Sequence, residues 1–312
     1  MKLLVKFFSF LFFIPFLFRL LVKKELIIFN YHEISDNPSE FCIEHNLNTT
    51  PTNFEIQIKF IKKHFNVLTP TQLIEGDYKL PAAVITFDDG FKGAFVNGGQ
   101  ILKKHNISAI YFLNMAPIEG EQCWSGLVSY LCKYEKLLVQ ILEKKYQKKD
   151  LYLYCNKSDL DEYFRLNNKL LPETSKYHGE FASYEDLIES NNNKLYLGNH
   201  LYNHQNAMNL TSEELQFEYL VNQQKLSKFK NSLNFFSYPF GQPKRCFDRK
   251  TNNFIIKLGA EKIFTAQQIF NVQRSNIFNR TPMFNYIDTE IIFKSHCIIP
   301  SYINSFFRSK SL

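Results

Sequence analysis

Two adjacent aspartates, Asp88 and Asp89, end the apolar segment VITFDD and precede Gly90. Like charges this close raise the pKa of one carboxyl group unless the two share a cation. A metal bound by one carboxylate, with its neighbour left free as a base, would resolve that conflict. An Asp-Asp-Gly turn without any function is an equally good interpretation of this segment taken alone.

Two histidines, His200 and His204, follow the apolar segment LYLGN. On a helical turn, their spacing puts both imidazoles on one face, where they can bind one metal ion. Two histidines and one carboxylate form a facial ligand set that leaves coordination positions open for water and substrate. The paired histidines and the paired aspartates together therefore predict a metal site.

A third segment, FSYPFG at residues 236–241, indicates by itself only a strand that runs into a turn. The order of the three segments, however, resembles the motif series of the polysaccharide deacetylases, the NodB-homology family also called carbohydrate esterase family 4. Tyr31-His32 and Arg280-Thr281-Pro282 resemble that family's flanking segments. The Tyr-Pro-Phe-Gly form resembles the branch that acts on poly-N-acetylglucosamine and surface glycans. The resemblance covers about residues 26–285.

The resemblance implies a role for each matching residue. Asp89, His200 and His204 would bind a divalent metal, usually zinc, and Asp88 would be the general base that deprotonates the attacking water. The backbone amide of Phe240, in the turn after the fifth predicted strand, would help to hold the oxyanion. These roles agree with general chemistry, since a metal lowers the pKa of bound water towards about 7 and a fixed backbone donor stabilises a tetrahedral intermediate.

Two departures from the family pattern concern the base and the acid. Many members have, where this chain has Ser237, an arginine that orients the base. Arg280 is the candidate to replace it, although a surface arginine before a Pro turn is an equally good interpretation. Many members also have a Leu-x-His segment that supplies the general acid, whereas this chain has Lys294-Ser295-His296. His296 or His32 could serve instead, and Tyr238 and His32 are the expected substrate contacts.

Short apolar segments alternate with helical patterns after Lys24, which predicts βα units and a largely parallel sheet. Capping-box patterns at Thr52 with Glu55 and at Thr211 with Glu214 predict two helix starts. The resemblance makes the fold an α/β, distorted (β/α) barrel with the site at the C-terminal ends of the strands. An insertion at about 119–190 is expected to carry helices and to dock through Trp124. The predicted strands are residues 26–31, 83–87, 109–113, 195–197, 235–238 and 263–265.

The N-terminus is strongly apolar, because residues 3–22 read LLVKFFSFLFFIPFLFRLLV. This run just reaches the length of a membrane span, and it lacks the small-residue site at which a signal peptide is cleaved. We therefore expect a retained membrane segment at residues 1–24, with membrane contact through 1–22, and a catalytic domain at 25–312. Pro15 and Arg19 leave a shallow, non-spanning insertion open, and a helix of the globular core is the other interpretation.

The composition is that of a globular protein, with 45% hydrophobic and 21% charged residues and a net charge of +7. No basic stripe interleaved with aromatic residues is present, so we expect no nucleic-acid partner. The six cysteines include no Cys-x-x-Cys pair, which favours buried thiols over a disulfide framework or a zinc site. The clustered lysines are typical of a solvated helix face: Lys144, Lys145, Lys148 and Lys149.

The expected function is therefore the metal-dependent removal of N-acetyl groups from amino sugars of a bacterial surface polysaccharide or a lipid-linked glycan, with zinc as the expected metal. The apolar N-terminus indicates the cell envelope but leaves the side of the membrane undecided. One alternative is a catalytically weak glycan-binding protein, which the missing acid motif favours and the retained Asp88–Asp89 pair opposes. Another is an O-deacetylase or deformylase of a lipid-linked sugar. The sequence does not indicate an oligomeric state.

Overall fold

The structure is a computed structural model that describes residues 15–147, 151–155, 157–167 and 172–309. Its strands are β1 (Leu26–Tyr31), β2 (Glu33–Ile34), β3 (Asn48–Thr49), β4 (Asn66–Val67), β5 (Ala82–Phe87), β6 (Ala109–Leu113), β7 (Leu195–Asn199), β8 (Ser232–Ser237), β9 (Lys262–Thr265) and β10 (Ile277–Pro282). Its helices are α1 (Pro15–Val22), α2 (Glu40–Glu44), α3 (Pro51–His64), α4 (Pro70–Glu75), α5 (Gly99–His105), α6 (Met115–Ile118), α7 (Trp124–Tyr134), α8 (Lys136–Tyr146), α9 (Leu151–Tyr154), α10 (Lys157–Leu166), α11 (Ser175–His178), α12 (Tyr184–Asn192), α13 (Ser212–Leu226), α14 (Arg249–Lys257) and α15 (Glu290–Ser309). A π-helical turn at Ala94–Gly98 leads into α5, and a short 3₁₀ turn lies at Ala207–Asn209.

Seven parallel strands close into a barrel, because β1 pairs with β10 on one side and with β5 on the other. The order around the barrel is β1, β10, β9, β8, β7, β6 and β5, and the short strand β4 adds to the start of β5. Parallel strands are buried on both faces and so read as continuous apolar runs, as β5 does with AAVITF. The closed barrel confirms the predicted distorted (β/α) barrel. All seven strands begin at one end, the N-terminal end of the barrel, and finish at the other, the C-terminal end.

The interior of the barrel changes from apolar to polar along its axis. Alternate residues of each strand point inward and fill the barrel in layers. The apolar layers contain, among others, Leu26, Ile28, Val84, Phe112 and Phe264. Two residues further along β1 and β5 stand Asn30 and Thr86, which are register partners, and two residues beyond the buried Phe278 stands Arg280. The layer nearest the C-terminal end is therefore polar, whereas apolar side chains usually fill a barrel core. Polar side chains at these positions indicate a functional site.

The structure confirms the six predicted strands, with end points that differ by up to three residues. Strand β10 has no counterpart among them, because its sequence, IFNRTP, is half polar. The predicted capping box at Thr211 and Glu214 is confirmed at the start of α13. The one predicted at Thr52 is wrong: Thr50 caps α3 instead, because Pro51 follows it at the first helical position, where its fixed φ suits the helix.

The predicted insertion folds as the helices α7 to α12. It has a hydrophobic cluster of its own, in which Trp124 packs with Leu131 and Phe164. It docks onto the barrel through the α9 region, where the carbonyl of Leu153 accepts hydrogen bonds from Asn206 at 2.9 Å and from Asn209. The insertion is thereby fixed against the segment that follows β7.

Helix α1 packs one face against the globular core. Phe18 and Val22 are fully buried, and the Phe18 ring contacts the His64 ring edge-to-face with 5.0 Å between the centroids. Residues 1–14 of the predicted membrane segment lie outside the described residues. Within the part of the chain that the structure describes, no helix is both long enough and apolar enough to cross a membrane.

The turn after β8 requires glycine at position 241. Gly241 has a φ of +58°, and a Cβ atom there would lie 2.6 Å from the backbone nitrogen of Ala266. Gly120 also has a positive φ, of +87°, but a Cβ atom there would meet nothing within 4 Å. A substitution at Gly120 therefore measures the free-energy cost of the backbone conformation alone. A substitution at Gly241 measures that cost together with the cost of a steric clash.

We expect Gly120→Ala to lower the free energy of unfolding by about 1 kcal/mol, since only the left-handed conformation opposes it. Gly241→Ala should cost about 2 kcal/mol more, because backbone must also move. Urea unfolding of both variants measures the difference. Equal losses would show that the turn tolerates a side chain.

Candidate active site

Arg280 and Asp88 form a buried, two-point ion pair at the C-terminal end of the barrel. Nη1 of Arg280 lies 2.7 Å from Oδ1 of Asp88, and Nη2 lies 2.7 Å from Oδ2. The remaining donors of the guanidinium reach Oδ1 of Asn30 (3.0 Å), Oγ of Ser237 (2.7 Å) and the carbonyl of Thr265 (3.2 Å). Arg280 is only 1% exposed, so the surface-arginine interpretation is wrong. It lies within β10, and Ser237 leaves room for it.

The pair keeps Asp88 ionised. Burial by itself would raise the pKa of Asp88, but the charge of Arg280 outweighs it and holds the pKa below its ordinary value. Asn30 donates a further hydrogen bond to Oδ2 at 3.0 Å. The stability that this ionised pair contributes is present above the ordinary carboxyl pKa and is lost as the pH falls through the lowered one.

Asp89, His200 and His204 converge beside that pair. Oδ1 of Asp89 lies 3.4 Å from Nε2 of His200 and 3.2 Å from Nε2 of His204. One ligand atom from each residue lies within 4.8 Å of the other two. Burial by itself would raise the pKa of Asp89, but a protonated His204 would hold it well below the ordinary value. The predicted ligand set is thus brought together in one buried cluster.

The donor atoms of this cluster suit a cation. Nδ1 of His200 lies 2.7 Å from the carbonyl oxygen of Ser237, which can only accept a hydrogen bond. In the neutral ring, Nδ1 therefore carries the proton, and Nε2 turns its lone pair towards Asp89. Oδ1 of Asp89 is buried, and although both rings approach it, neither makes a hydrogen bond of acceptable geometry. A cation among these atoms would satisfy both the oxygen and the ring nitrogens.

The two histidines lie on an irregular loop, so the predicted helical turn is wrong. Leu201 and His204 have φ angles of +60° and +57°, which a right-handed helix excludes. Side-chain amides hold the loop instead. Asn114 donates to the carbonyls of His200 and Leu201, and the Oδ1 of Asn199 accepts from the backbone nitrogen of Leu201 at 3.0 Å. The two imidazoles converge on Asp89 because these hydrogen bonds fix the conformation of the loop, and not because the residues have helical spacing.

Glu218 of α13 holds the part of the loop between the two histidines. Its carboxylate accepts hydrogen bonds from the backbone and the side chain of Asn203, both at 2.7 Å, and from Gln205 at 3.0 Å. Glu218 is 3% exposed, and burial raises its pKa.

Asn222, four residues further along the same helix, links the ends of β6 and β7. It donates to the carbonyl of Leu113 at 2.7 Å and to Oδ1 of Asn199 at 2.8 Å.

These supporting residues were not among the sequence-predicted site residues. Glu218 and Asn222 are four residues apart on the buried face of α13, and Asn30 interrupts the apolar strand LIIFNY. A polar residue on an otherwise apolar face needs a partner, so a signal was present in the sequence. Nothing in the sequence, however, indicates which backbone groups each side chain would hold.

The structure separates the remaining predicted residues into two groups. Phe240 and His32 lie near the cluster: the Phe240 ring contacts the His204 ring edge-to-face at 4.8 Å. Burial, which Asp89 and Asp88 partly oppose, lowers the pKa of the half-buried His32. Tyr238 does not face a substrate, because its ring is 1% exposed and stacks on Phe247 at 4.8 Å. The predicted substrate contact at Tyr238 is therefore replaced by a packing role.

His296 is a poor candidate for the general acid. Its Nε2 lies 2.7 Å from the carbonyl oxygen of Pro282, to which it must donate. Burial lowers its pKa to about 4, so the ring is neutral near neutral pH and its proton is engaged with the backbone. His32 thus remains the better of the two candidates.

The insertion covers the Asp–His–His cluster on one side. Cys123, Trp124 and Phe181 line a cavity of about 10 Å³ together with Asp89 and His204. Such a volume is comparable to what one water molecule needs. Trp124, which was expected to dock the insertion, packs within the insertion's own hydrophobic cluster and forms part of the wall beside the Asp–His–His cluster.

The site thus combines an ionised carboxylate, which an arginine holds at two points, with a cluster of ligand atoms that suits a cation. This combination is typical of enzymes that use activated water for hydrolysis. The sequence profile of the polysaccharide deacetylase family matches residues 75–263, more than half of the chain. The protein therefore belongs to the polysaccharide deacetylase family, whose members are carbohydrate esterases that hydrolyse N-acetyl amide bonds. The matched residues include Asp88 and His200, whereas His32 and Arg280 lie outside them.

Solved structures share the fold at low sequence identity. The Streptococcus pyogenes deacetylase PplD, solved with acetate, is 16% identical, with a TM-score of 0.58 over 87% of this chain and 98% of that one. The putative polysaccharide deacetylase BA0330 from Bacillus anthracis is 16% identical, with a TM-score of 0.56 over 88% and 69%. IcaB from Ammonifex degensii is 14% identical, with a TM-score of 0.55 over 88% and 97%. No curated protein sequence matches the chain.

We expect Glu218→Gln to weaken divalent-metal binding by about 10- to 100-fold, the usual effect of losing a partner that orients metal ligands. The amide group would turn a donor towards Asn203 and release the loop between His200 and His204. Isothermal titration of the metal-depleted protein with Zn²⁺ measures the effect. Glu213→Gln, at an exposed position of the same helix, is the control. Equal affinities of the two variants would contradict a role for Glu218 in holding the loop.

Proposed function

We propose that the protein is a metal-dependent enzyme that removes N-acetyl groups from amino sugars of a bacterial surface polysaccharide. The observation that carries the proposal is that the Asp89–His200–His204 cluster and the Asp88–Arg280 pair lie side by side at the C-terminal end of the barrel. Barrel enzymes have their catalytic residues at that end. The family supplies the reaction class, and the proposal adds the metal and the substrate.

The proposed metal ligands are one carboxylate oxygen and two imidazole nitrogens, from Asp89, His200 and His204. Three ligands of this kind suit a catalytic zinc site, in which the remaining position is open. A bound divalent ion lowers the pKa of water and polarises the carbonyl group of the acetamide. The backbone amide of Phe240, in the turn beside His204, is the proposed donor to the oxyanion.

Asp88 is the proposed general base. Arg280 fixes both of its oxygens and keeps it ionised, so that it can accept a proton from water without first losing one. Because the pKa of Asp88 is lowered, protonation of this carboxylate limits turnover only at acidic pH. The proton that the leaving amine needs is proposed to come from the protonated ring of His32, whose pKa is lowered by burial and partly restored by Asp89 and Asp88.

Acetate release from a panel of N-acetylated chitooligosaccharides, in the presence of Zn²⁺, tests this function. The full chain in mild detergent is the sample to use, because α1 contributes Phe18 and Val22 to the core. Sugars with O-acetyl esters and N-formyl groups form two further arms of the panel. Ester or formyl hydrolysis without amide hydrolysis would favour a different bond, and binding without any product would favour a glycan-binding protein.

Removing the metal ligands should remove both metal and activity. The double variant His200→Ala, His204→Ala leaves only one of the three ligands, so we expect less than a tenth of the wild-type metal content and no measurable acetate release. Elemental analysis after gel filtration measures the metal. Full retention of metal in this variant would place the ion elsewhere.

Asp88→Asn should keep the metal and lose about 10²- to 10⁴-fold in kcat, the usual contribution of a general base. Asp288→Asn, at an exposed position that follows β10, is the matched control and should leave kcat unchanged. Thermal unfolding and metal content show whether the variant is folded and loaded. A folded, metal-loaded Asp88→Asn variant with normal turnover would mean that another group is the base.

Arg280→Lys should lower kcat on the order of 10²-fold, because an ammonium group cannot hold both oxygens of Asp88 and the base would lose its alignment. The metal content should stay unchanged, since Arg280 contacts none of the proposed ligands. Arg274→Lys, at an exposed position before β10, is the control. Unaltered kinetics in Arg280→Lys would show that the two-point contact does not orient the base.

A further inference from the structure

Helix α1 has a second apolar face that no other described part of the chain covers. Phe16 is 70% exposed and Leu20 is 64% exposed, whereas Phe18 and Val22 on the other face are fully buried. Arg19 between them is exposed, and the helix contains no acidic residue. A helix with exposed aromatic and aliphatic side chains beside cations is typical of an interfacial membrane helix.

The N-terminal end of the barrel, to which α1 is attached, is basic. The segments that lead into its strands carry the exposed cations Lys23, Lys24, Lys79, Lys194, Lys228 and Lys230. Helices α5 and α14 end at the same side and add Lys103, Lys104 and Lys257 in or near their last turns. The acidic residues of these segments are Glu25, Asp77 and Glu261, and the last turns of α4 and α12 add Glu75 and Glu189. Cations therefore clearly outnumber acids on this face.

The C-terminal end of the barrel has the opposite charge. The segments that follow β1 and β5 contain Glu33, Asp36, Glu40, Glu44, Asp88 and Asp89 and the single cation Lys92. The first turns of α12 and α13 add Glu185, Asp186, Glu213 and Glu214. Some of these charges are paired, as Lys133 is with Glu40 and Glu44. The segment after β8 is the exception, with Lys244, Arg245, Arg249 and Lys250.

The two ends are far enough apart to act independently on a charged surface. Strand β1 has six residues and therefore spans about 20 Å, whereas the Debye length at physiological ionic strength is about 8 Å. A bilayer against the N-terminal end would thus be attracted by the basic face and barely sense the acidic one. The chain before α1 is also strongly apolar, since residues 7–14 read FFSFLFFI.

We propose that the N-terminal end of the barrel docks onto an anionic lipid bilayer, with Phe16 and Leu20 in the interface, and that the catalytic end faces away from the membrane. The apolar face of α1 favours a bilayer over a soluble anionic polymer, which would use the cations and leave Phe16 and Leu20 in water. Together with the proposed function, this orientation fits a polysaccharide that extends from the membrane and does not fit a sugar within the lipid headgroups.

Vesicle co-sedimentation of the full chain tests the docking face without reference to activity. Binding should be tighter to phosphatidylcholine mixed with phosphatidylglycerol than to phosphatidylcholine alone. Lys228→Gln with Lys230→Gln should weaken it about tenfold or more, since each cation near an anionic surface contributes about fivefold. Arg249→Gln with Lys250→Gln, at the other end, is the control for charge. Equal effects of the two pairs, or equally tight binding of soluble polyphosphate, would overturn the proposal.

Fluorescence quenching tests the orientation. A bimane label on Lys79→Cys, at the N-terminal end, should be quenched by lipids that carry a headgroup spin label, and a label on Lys244→Cys should not. The native cysteines are buried except for the half-buried Cys132, so the introduced thiols react first. Phe16→Glu with Leu20→Glu should reduce quenching at position 79, whereas Ile188→Glu, on a 63% exposed residue of α12, should not. Quenching at position 244, or undiminished quenching in the double variant, would contradict the proposal.

Discussion

The burial of two adjacent carboxylates is the constraint on which the rest of the site depends. Asp88 and Asp89 follow a buried strand, and two neighbouring negative charges in a protein interior need separate compensation. The fold supplies it in two ways: a guanidinium grips Asp88 at two points, and two imidazoles converge on Asp89. Arg280 thus holds Asp88 ionised, whereas Oδ1 of Asp89 has no hydrogen-bond partner among the described residues and suits a cation.

Convergence on Asp89 requires backbone conformations that most residues avoid. Asp89, Leu201, His204 and Phe240 have φ angles of +72°, +60°, +57° and +61°, and none of them is a glycine. Such conformations persist only where surrounding contacts determine them. Buried carboxamides and Glu218 provide these contacts for the loop after β7. The hydrogen-bond network therefore stabilises the strained backbone that positions His200 and His204.

The sequence predicts the parallel strands well from local patterns, whereas the closed barrel and the ligand set are expected only from the family resemblance. Buried parallel strands are continuous apolar runs, and the motif residues stand at their ends, as Asp89 and His200 do. It predicts the loop and Tyr238 poorly. The spacing of His200 and His204 fits a helical turn, but amides from distant elements decide the backbone there. Tyr238 lies inside a motif, yet packing against Phe247 buries it, and packing across elements leaves no local signal.

Arg280 shows why a site can be retained while the motif pattern changes. The inward positions of one barrel layer converge on a common axis, so a long side chain on β10 can reach the carboxylate after β5, and Ser237 on β8 contacts the same guanidinium at 2.7 Å. Asp88 needs two hydrogen-bond donors in a fixed arrangement beside its carboxylate. An arginine on any of several strands of the barrel could place its guanidinium there. An arginine on β8 and one on β10 would compete for the same volume. The short side chain at position 237 is therefore the expected companion of an arginine at position 280.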